Sequence, residues 1–158
     1  MNNFDNLFTE YPCTLTDAEV KSAAAELLEQ HFAENNEIGV WKQCLHSIDL
    51  TTLNGDDTTE KVETMAQKVN EFEEHFPGVP KVAAMCVYPA LVQAAADTLT
   101  EPIGIAAVAA GFPASQTFIE VKIAEAAMAV ASGATEIDIV ISIGKFLEGN
   151  YQEVYDEI

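Results

Sequence analysis

Apolar residues along this chain recur first at helical spacing and then in short unbroken runs that alternate with further helices. Residues 1–15 lack a regular pattern and are predicted to form a loose leader. A capping box from Thr16 to Glu19 predicts the start of a helix that ends in the polar run 34–37. The predicted strands are residues 44–50, 82–88, 103–109 and 136–142, and the predicted helices that follow the first three are residues 57–76, a helix opened by Pro89, and residues 115–132.

Strands and helices that alternate through short joints are typical of parallel βαβ units, so the predicted fold class is α/β. The strands are apolar almost without alternation, as expected when both faces of a sheet are covered. Two architectures fit this order. An open doubly wound sheet often carries a glycine-rich phosphate-binding turn, and the sequence has neither G-x-G-x-x-G nor G-x-x-x-x-G-K-[ST]. A (β/α)8 barrel of the TIM type needs about 250 residues, and this chain provides four of its strands.

The end of the chain predicts an amphipathic helix without a stop signal. No Gly, Pro or basic last turn closes it. We therefore expect a chain cut within the fourth barrel helix, with residues 1–40 as a leader and helical extension and residues 41–158 as the first four β/α units. The helically spaced apolar positions are Leu147, Tyr151, Val154, Tyr155 and Ile158.

The charge balance restricts the partners of the protein. The chain has 26 Asp and Glu residues against seven basic residues, all lysines, and a net charge of −19. Such a field repels phosphodiester backbones and anionic lipid surfaces, so we expect no nucleic acid and no membrane as partner.

No run approaches the roughly 20 apolar residues of a membrane span, and no signal peptide is recognisable. The three cysteines are widely separated, which favours free thiols and a cytoplasmic location.

Two acidic residues interrupt the apolar strands. Asp49 lies at the end of the first predicted strand and Asp138 within the fourth. Charged residues in such strands are paired or functional, and in a barrel both would face the C-terminal mouth, where two carboxylates can transfer protons. Alternatively, each accepts backbone hydrogen bonds at a strand end, or both form a Mg²⁺ pocket in an open sheet.

His46, three residues before Asp49, would lie on the opposite face of the strand and be structural. Asp56 and Asp57 lack further oxygen ligands at EF-hand spacing, so we predict no metal site there.

Several segments together resemble the deoxyribose-phosphate aldolase family, in the order and spacing of that family over residues 44–158. Each segment alone is weak, but the ordered set is specific. The segments are Ile48-Asp49-x-Thr51-x-Leu53, Val82-Ala83-Ala84-Met85-Cys86-Val87-Tyr88-Pro89, Ile105-Ala106-Ala107-Val108, Gly111-Phe112-Pro113, Lys122-x-x-Glu125 and Gly133-Ala134-x-Glu136-Ile137-Asp138-Ile139-Val140.

The resemblance implies a TIM barrel that reversibly cleaves 2-deoxy-D-ribose 5-phosphate to acetaldehyde and D-glyceraldehyde 3-phosphate, without metal or organic cofactor. It implies a Schiff-base lysine on a late strand, whose pKa a second lysine lowers. Asp138 matches a proton donor and acceptor, and Asp49 a member of the same polar network. Cys86 and Thr51 match substrate-binding positions, and the partner is a small phosphorylated sugar.

None of the seven lysines matches the Schiff-base position. Lys122 is predicted to form a surface ion pair with Glu125, Lys42 and Lys81 precede strands, and Lys145 lies in a solvated loop. We therefore expect the 158 residues alone to be inactive. The alternative is a non-catalytic, acidic α/β domain that binds a partner. Uncovered sheet edges predict self-association or a homo-oligomer.

Overall fold

The computed structural model describes residues 3–158, except for the side chains of Asn3 and Asp5. The chain divides into two compact units, one ending at Trp41 and the other running from Lys42 to Ile158. Among the described residues, no helix has the length and apolar character that a membrane crossing requires.

The first unit is helical. Helix α1 spans Asn3–Glu10, so the prediction of a loose leader is wrong over these residues; Met1 and Asn2 lie outside the described residues. The signal was short: Phe4, Leu7 and Phe8 recur at i, i+3 and i+4.

Helix α2 spans Asp17–Asn35 and confirms the predicted capping box. The hydroxyl of Thr16 accepts from the Glu19 backbone N–H at 3.3 Å, and the Glu19 carboxylate accepts from the Thr16 backbone N–H at 2.8 Å. Helix α2 buries none of its residues. Helix α3, Ile38–His46, continues into the second unit.

The second unit is a four-stranded sheet with helices between its strands. A 3₁₀ turn at Pro89–Leu91 follows the second strand, so Pro89 opens that helical segment as predicted. The elements are β1 (Asp49–Thr51), α4 (Thr59–Asn70), α5 (Phe72–His75), β2 (Ala84–Val87), α6 (Val92–Thr98), β3 (Gly104–Ala109), α7 (Ile119–Ala131), β4 (Glu136–Ile139), α8 (Ile143–Leu147) and α9 (Tyr151–Glu157).

All strand pairs are parallel, and the spatial order β1-β2-β3-β4 is the order along the chain. A doubly wound sheet reverses its strand order at a switch point, whereas a barrel adds each new strand beside the last. The described sheet has no such reversal. The arrangement is therefore that of the TIM-barrel type, with four β/α units.

One face of the sheet, here called the outer face, packs against the helices. Met85 and Val87 on β2 and Ile105 on β3 form one core with residues of α4, α6 and α7. Met85 is fully buried, and burial of such a side chain contributes about 1.5–3 kcal/mol. The residues that the helices contribute include Val62, Ala66, Val69, Val92, Ala95 and Ala129.

The first strand is shorter than predicted. Residues 44–46 end helix α3, and β1 begins only at Asp49. His46 is consequently the last residue of a helix, and its Nδ1 lies 2.9 Å from the Lys81 carbonyl oxygen. Lys42 also belongs to α3 and donates to the Gly78 carbonyl at 2.7 Å.

Three other boundaries differ from the prediction. Helix α7 starts at Ile119 rather than at residue 115, because Ser115 has a positive φ of 55° and belongs to the preceding loop. Strand β4 ends at Ile139 rather than at residue 142, and Ser142 is the N-cap residue of α8. The expected continuous helix over residues 147–158 is broken at Gly149, whose φ is 83°.

Helix α7 leaves large apolar residues exposed. Phe118, its N-cap residue, is 76% accessible and Met128 is 69% accessible. The buried residues of α7 are Lys122 and Ala129. Lys122 therefore faces inward, which its charge had not suggested.

Candidate active site

The other face of the sheet, here called the inner face, carries small side chains and carboxylates. Side chains alternate along a strand, so residues in register across parallel strands share a face. Cys86 is in register with Thr51 on one side and with Ala106 on the other, and Ala106 is in register with Glu136. Asp138 lies two residues further along β4 and has the same orientation.

A hydrogen bond between two side chains on the inner face joins Cys86 to Asp138. The thiol donates to Asp138 Oδ2, with Sγ and Oδ2 separated by 3.7 Å. Cys86 is 2% exposed, whereas Asp138 is exposed. The family resemblance implied four site residues, and they come from three strands and lie on one face of the sheet. They are Asp138, Asp49, Cys86 and Thr51.

Burial raises the pKa of the Cys86 thiol to about 11, and the charges of Asp138 and then Asp49 act in the same direction. A hydrogen bond from Thr51 opposes the shift. The thiol is therefore protonated at neutral pH, which makes it a hydrogen-bond donor and a poor nucleophile.

Asp49 is the first residue of β1 and does not lie near the end of the strand as predicted, because residues 44–46, expected to precede it in the strand, belong to α3. Its side chain is exposed on the inner face, in register with Ala84. Thr51 donates its hydroxyl to the Asp49 carbonyl oxygen at 2.8 Å, which fixes the rotamer of Thr51 beside Cys86.

Glu136 is an inner-face carboxylate that sequence reasoning passed over. A Cβ atom added to Gly104 would lie 2.2 Å from Glu136 Oε1, so this carboxylate occupies the space left by the glycine. The sequence offered one signal for Glu136: it lies two residues before Asp138 on the same strand, so the two side chains share a face.

An aromatic pair borders the inner face beyond these polar residues. Tyr88 and Phe112 lie edge to face, with ring centroids 6.4 Å apart. Tyr88 donates to the Leu53 carbonyl at 3.2 Å, and both rings pack against the cluster around Cys86. The polar groups therefore lie beside an apolar wall, as in many small-molecule sites.

The loop from β1 to α4 is fixed by Asp57. Its side chain is 1% exposed and accepts from the Thr52 hydroxyl and the Asn54 backbone N–H, both at 2.9 Å, and from Lys61. The hydrogen bond from Lys61 is the largest cause that lowers the Asp57 pKa to about 2. Thr58 caps α4, since its hydroxyl accepts from the Lys61 backbone N–H, so the helix begins at Thr59 rather than at residue 57 as predicted.

A second polar cluster joins α7, the N-terminal end of α8 and α9. Lys122 is 5% exposed; its Nζ donates to Ser142 Oγ at 2.7 Å and to Glu157 Oε2 at 3.0 Å. The predicted Lys122–Glu125 pair is wrong, since Glu125 accepts from the Gly111 backbone N–H at 2.9 Å.

Lys145 completes that cluster. It forms ion pairs with Glu153 at 2.5 Å and Glu157 at 2.6 Å, so it is not the solvated loop residue expected. Hydrogen bonds from Lys145 first, and then from Ser142 and Lys122, lower the pKa of Glu157 to about 2.

Within residues 3–158, no lysine side chain contacts the inner-face carboxylates. Lys61 pairs with Asp57 and Lys81 with Glu101, while Lys68 is exposed on α4 and Lys21 on α2. In the same part of the chain, no group of three or more His, Cys, Asp or Glu side chains is placed to hold a metal ion.

A parallel sheet whose four strands lie in chain order defines an α/β protein of the (β/α)8-barrel type. Residues 44–158 match the DeoC/LacD family aldolase, and the chain belongs to this family. The match confirms the aldolase family that the sequence motifs indicated.

The chain is similar to the deoxyribose-phosphate aldolase of Homo sapiens, with 42% identity over 123 residues. That match covers 70% of this chain and 38% of the human protein, so the chain spans about two fifths of the length of this relative.

Two solved structures share the fold. The aldolase QR15 is 27% identical, with a TM-score of 0.62 over 72% of this chain and 47% of that one. The tetrameric deoxyribose phosphate aldolase of Aeropyrum pernix is 21% identical, with a TM-score of 0.58 over 85% of this chain and 56% of that one.

Proposed function

We propose that the protein is a deoxyribose-phosphate aldolase, a lyase that reversibly cleaves 2-deoxy-D-ribose 5-phosphate to acetaldehyde and D-glyceraldehyde 3-phosphate. One observation carries the proposal: Asp138, Cys86, Thr51 and Asp49, which match the family's site positions, lie together on the inner face. The 42% identity to the human aldolase supports the same substrate class.

Asp138 is proposed to transfer protons. Its carboxylate is exposed on the inner face and therefore accessible to a substrate, while one of its oxygens accepts from the buried Cys86 thiol. A carboxylate held in this way can accept a proton from a substrate hydroxyl and return it later. Asp49 is proposed to support the polar network, and Cys86 and Thr51 are proposed to line the substrate pocket.

The amine that forms the Schiff base is proposed to lie outside the seven lysines of this sequence. Lys61, Lys81, Lys122 and Lys145 are each paired with a carboxylate, and Lys42 donates to a backbone carbonyl. A Schiff-base lysine must be unprotonated to attack a carbonyl, and ion pairing favours the ammonium form. The 158 residues alone are therefore proposed to be inactive.

Self-association is proposed on the second unit. Strands β1 and β4 are the edges of the described sheet, and Ile139 and Ile141 are about two fifths exposed at 43% and 42%. Open edges offer unpaired backbone groups to another chain. Light scattering of residues 1–158 is expected to show oligomers or aggregates, and a monomer at high concentration would contradict this.

The direct test is product formation. The full-length gene product is incubated with 2-deoxyribose 5-phosphate, and glyceraldehyde 3-phosphate is measured with a coupled dehydrogenase; residues 1–158 alone are assayed in parallel. The proposal predicts product from the full-length protein and none from residues 1–158. No product from either supports the alternative, a non-catalytic binding domain, and turnover by residues 1–158 would show that one of the seven lysines is the nucleophile.

A further inference from the structure

The contact between Cys86 and Asp138 crosses a strand to which neither residue belongs. Cys86 lies on β2 and Asp138 on β4, and β3 runs between them. In the register of the sheet, Cys86 is level with Ala106 of β3, and Asp138 is level with Val108. The short side chain of Ala106 leaves room above β3, which allows the thiol to reach Asp138 at 3.7 Å.

Cys86 has the properties of a donor that is held in place. It is 2% exposed and packs with Ala106 and Val108 in one buried cluster. Its Sγ–H group has a single proton to donate, and Asp138 Oδ2 is the acceptor. Among the residues that the structure describes, no other group donates a hydrogen bond to the Asp138 carboxylate.

We propose that Cys86 is a positioning residue for Asp138: its S–H group donates to Asp138 Oδ2 and fixes the orientation of that carboxylate on the inner face. This role differs from lining the substrate pocket, because it acts on the proton-transferring group and not on substrate affinity. The inference rests on the proposed function, in which Asp138 transfers protons.

The contact itself can be tested by titration of the thiol. The full-length protein is labelled with [3-¹³C]cysteine, and the Cys86 signal is identified by its absence from Cys86→Ala. Asp138→Asn is expected to lower the thiol pKa by on the order of one unit, since a neutral amide no longer repels the thiolate. Asp97→Asn, an exposed position on α6, is the matched control and should leave the titration unchanged. An unchanged thiol pKa in Asp138→Asn would overturn the proposal.

The role is tested by kinetics. Cys86→Ala is expected to reduce kcat about tenfold while KM stays within about twofold, because a misoriented carboxylate affects proton transfer more than binding. Cys86→Ser should recover most of kcat, since its hydroxyl can still donate to Asp138. A raised KM at constant kcat in Cys86→Ala would overturn the positioning role.

The two proposals fail in different ways. A wild-type protein that cleaves no 2-deoxyribose 5-phosphate overturns the proposed function. An active wild type whose thiol pKa does not respond to Asp138→Asn, or whose Cys86→Ala variant changes only KM, overturns the positioning role alone.

Discussion

The two faces of the sheet in the second unit differ in side-chain size and charge. The outer face carries Met85, Val87 and Ile105, which the helices cover. The inner face has smaller residues at the alternating positions, such as Ala84 and Ala106, and its flanking strands add exposed carboxylates. Large apolar side chains on one face stabilise the fold, while small ones on the other leave space for polar groups. Substitutions on the outer face should therefore affect stability, and those on the inner face activity.

The largest effect is expected from Asp138→Asn. The amide cannot accept and return a proton, so kcat for cleavage of 2-deoxyribose 5-phosphate should fall about 10²–10⁴-fold, while the free energy of unfolding changes little because Asp138 is exposed. The measurement is steady-state kinetics of the full-length protein together with a urea unfolding curve. Unchanged kcat would remove Asp138 from the mechanism, and a large loss of stability would show that the inner face is structural as well.

Met85→Ala, on the outer face, should affect stability rather than activity. Met85 is fully buried, and loss of its side chain leaves a cavity that should lower the free energy of unfolding by about 2–5 kcal/mol. Its control is Met128→Ala, a 69% exposed methionine on α7, where a change within about 0.5 kcal/mol is expected. Equal effects of the two substitutions in urea unfolding would contradict the assignment of the core.

Acid should weaken the hydrogen bonds of two carboxylates, Asp57 in the loop after β1 and Glu157 on α9. Asp57 and Glu157 each have a folded-state pKa of about 2, below their ordinary values of 3.8 and 4.5, because each accepts hydrogen bonds from lysine. A lowered pKa stabilises the fold fully above the ordinary value, and this contribution is lost as the pH falls toward about 2. Asp57→Asn should therefore have a lower Tm than the wild type at neutral pH.

The difference in Tm between Asp57→Asn and the wild type should narrow as the pH falls below about 4. Asp56→Asn, at the exposed neighbouring position, is the control, and its Tm should follow the wild type at every pH. A difference that stays constant with pH would show that the Asp57 charge does not contribute to stability.

The smallest effect is expected at Gly104. Its Cβ would meet Glu136 Oε1 at 2.2 Å and Ala84 Cβ at 3.1 Å, but the Glu136 carboxylate is the end of a flexible side chain and can move. Gly104→Ala should therefore stay within about 1 kcal/mol of the wild type. When Glu136 is also replaced by Ala, Gly104→Ala should lower the free energy of unfolding by less than it does in the wild type. A loss well above this range in urea unfolding would show that Glu136 is held rigidly.

The alternating pattern predicted the α/β order and the strands β2 and β3, because their apolar runs are long and bounded by Pro and Gly. It failed at β1, since an apolar helix, α3, ends two residues before the strand and offers the same residue types. It also failed at the end of the chain, where the positive φ of Gly149 divides one apparent helix into two.

The candidate site was accessible to sequence reasoning for a physical reason. A carboxylate in an apolar strand, such as Asp138, is conspicuous because such a group must be paired or accessible to solvent or substrate, and the structure places it exposed on the inner face. Lys122 was assigned wrongly because its partners, Ser142 and Glu157, lie 20 and 35 residues away, beyond the reach of local patterns. Glu136 was missed because it begins its strand and looks like a polar boundary residue.

The most direct test of the central claim, that the inner face is one part of an aldolase site whose amine lies outside this sequence, is chemical trapping. The full-length protein is treated with acetaldehyde and a borohydride reductant, and the modified lysine is located by peptide mapping and mass spectrometry. We predict a single reduced adduct on a lysine that is not among Lys21, Lys42, Lys61, Lys68, Lys81, Lys122 and Lys145. An adduct on one of these seven, or no adduct anywhere, would contradict the account.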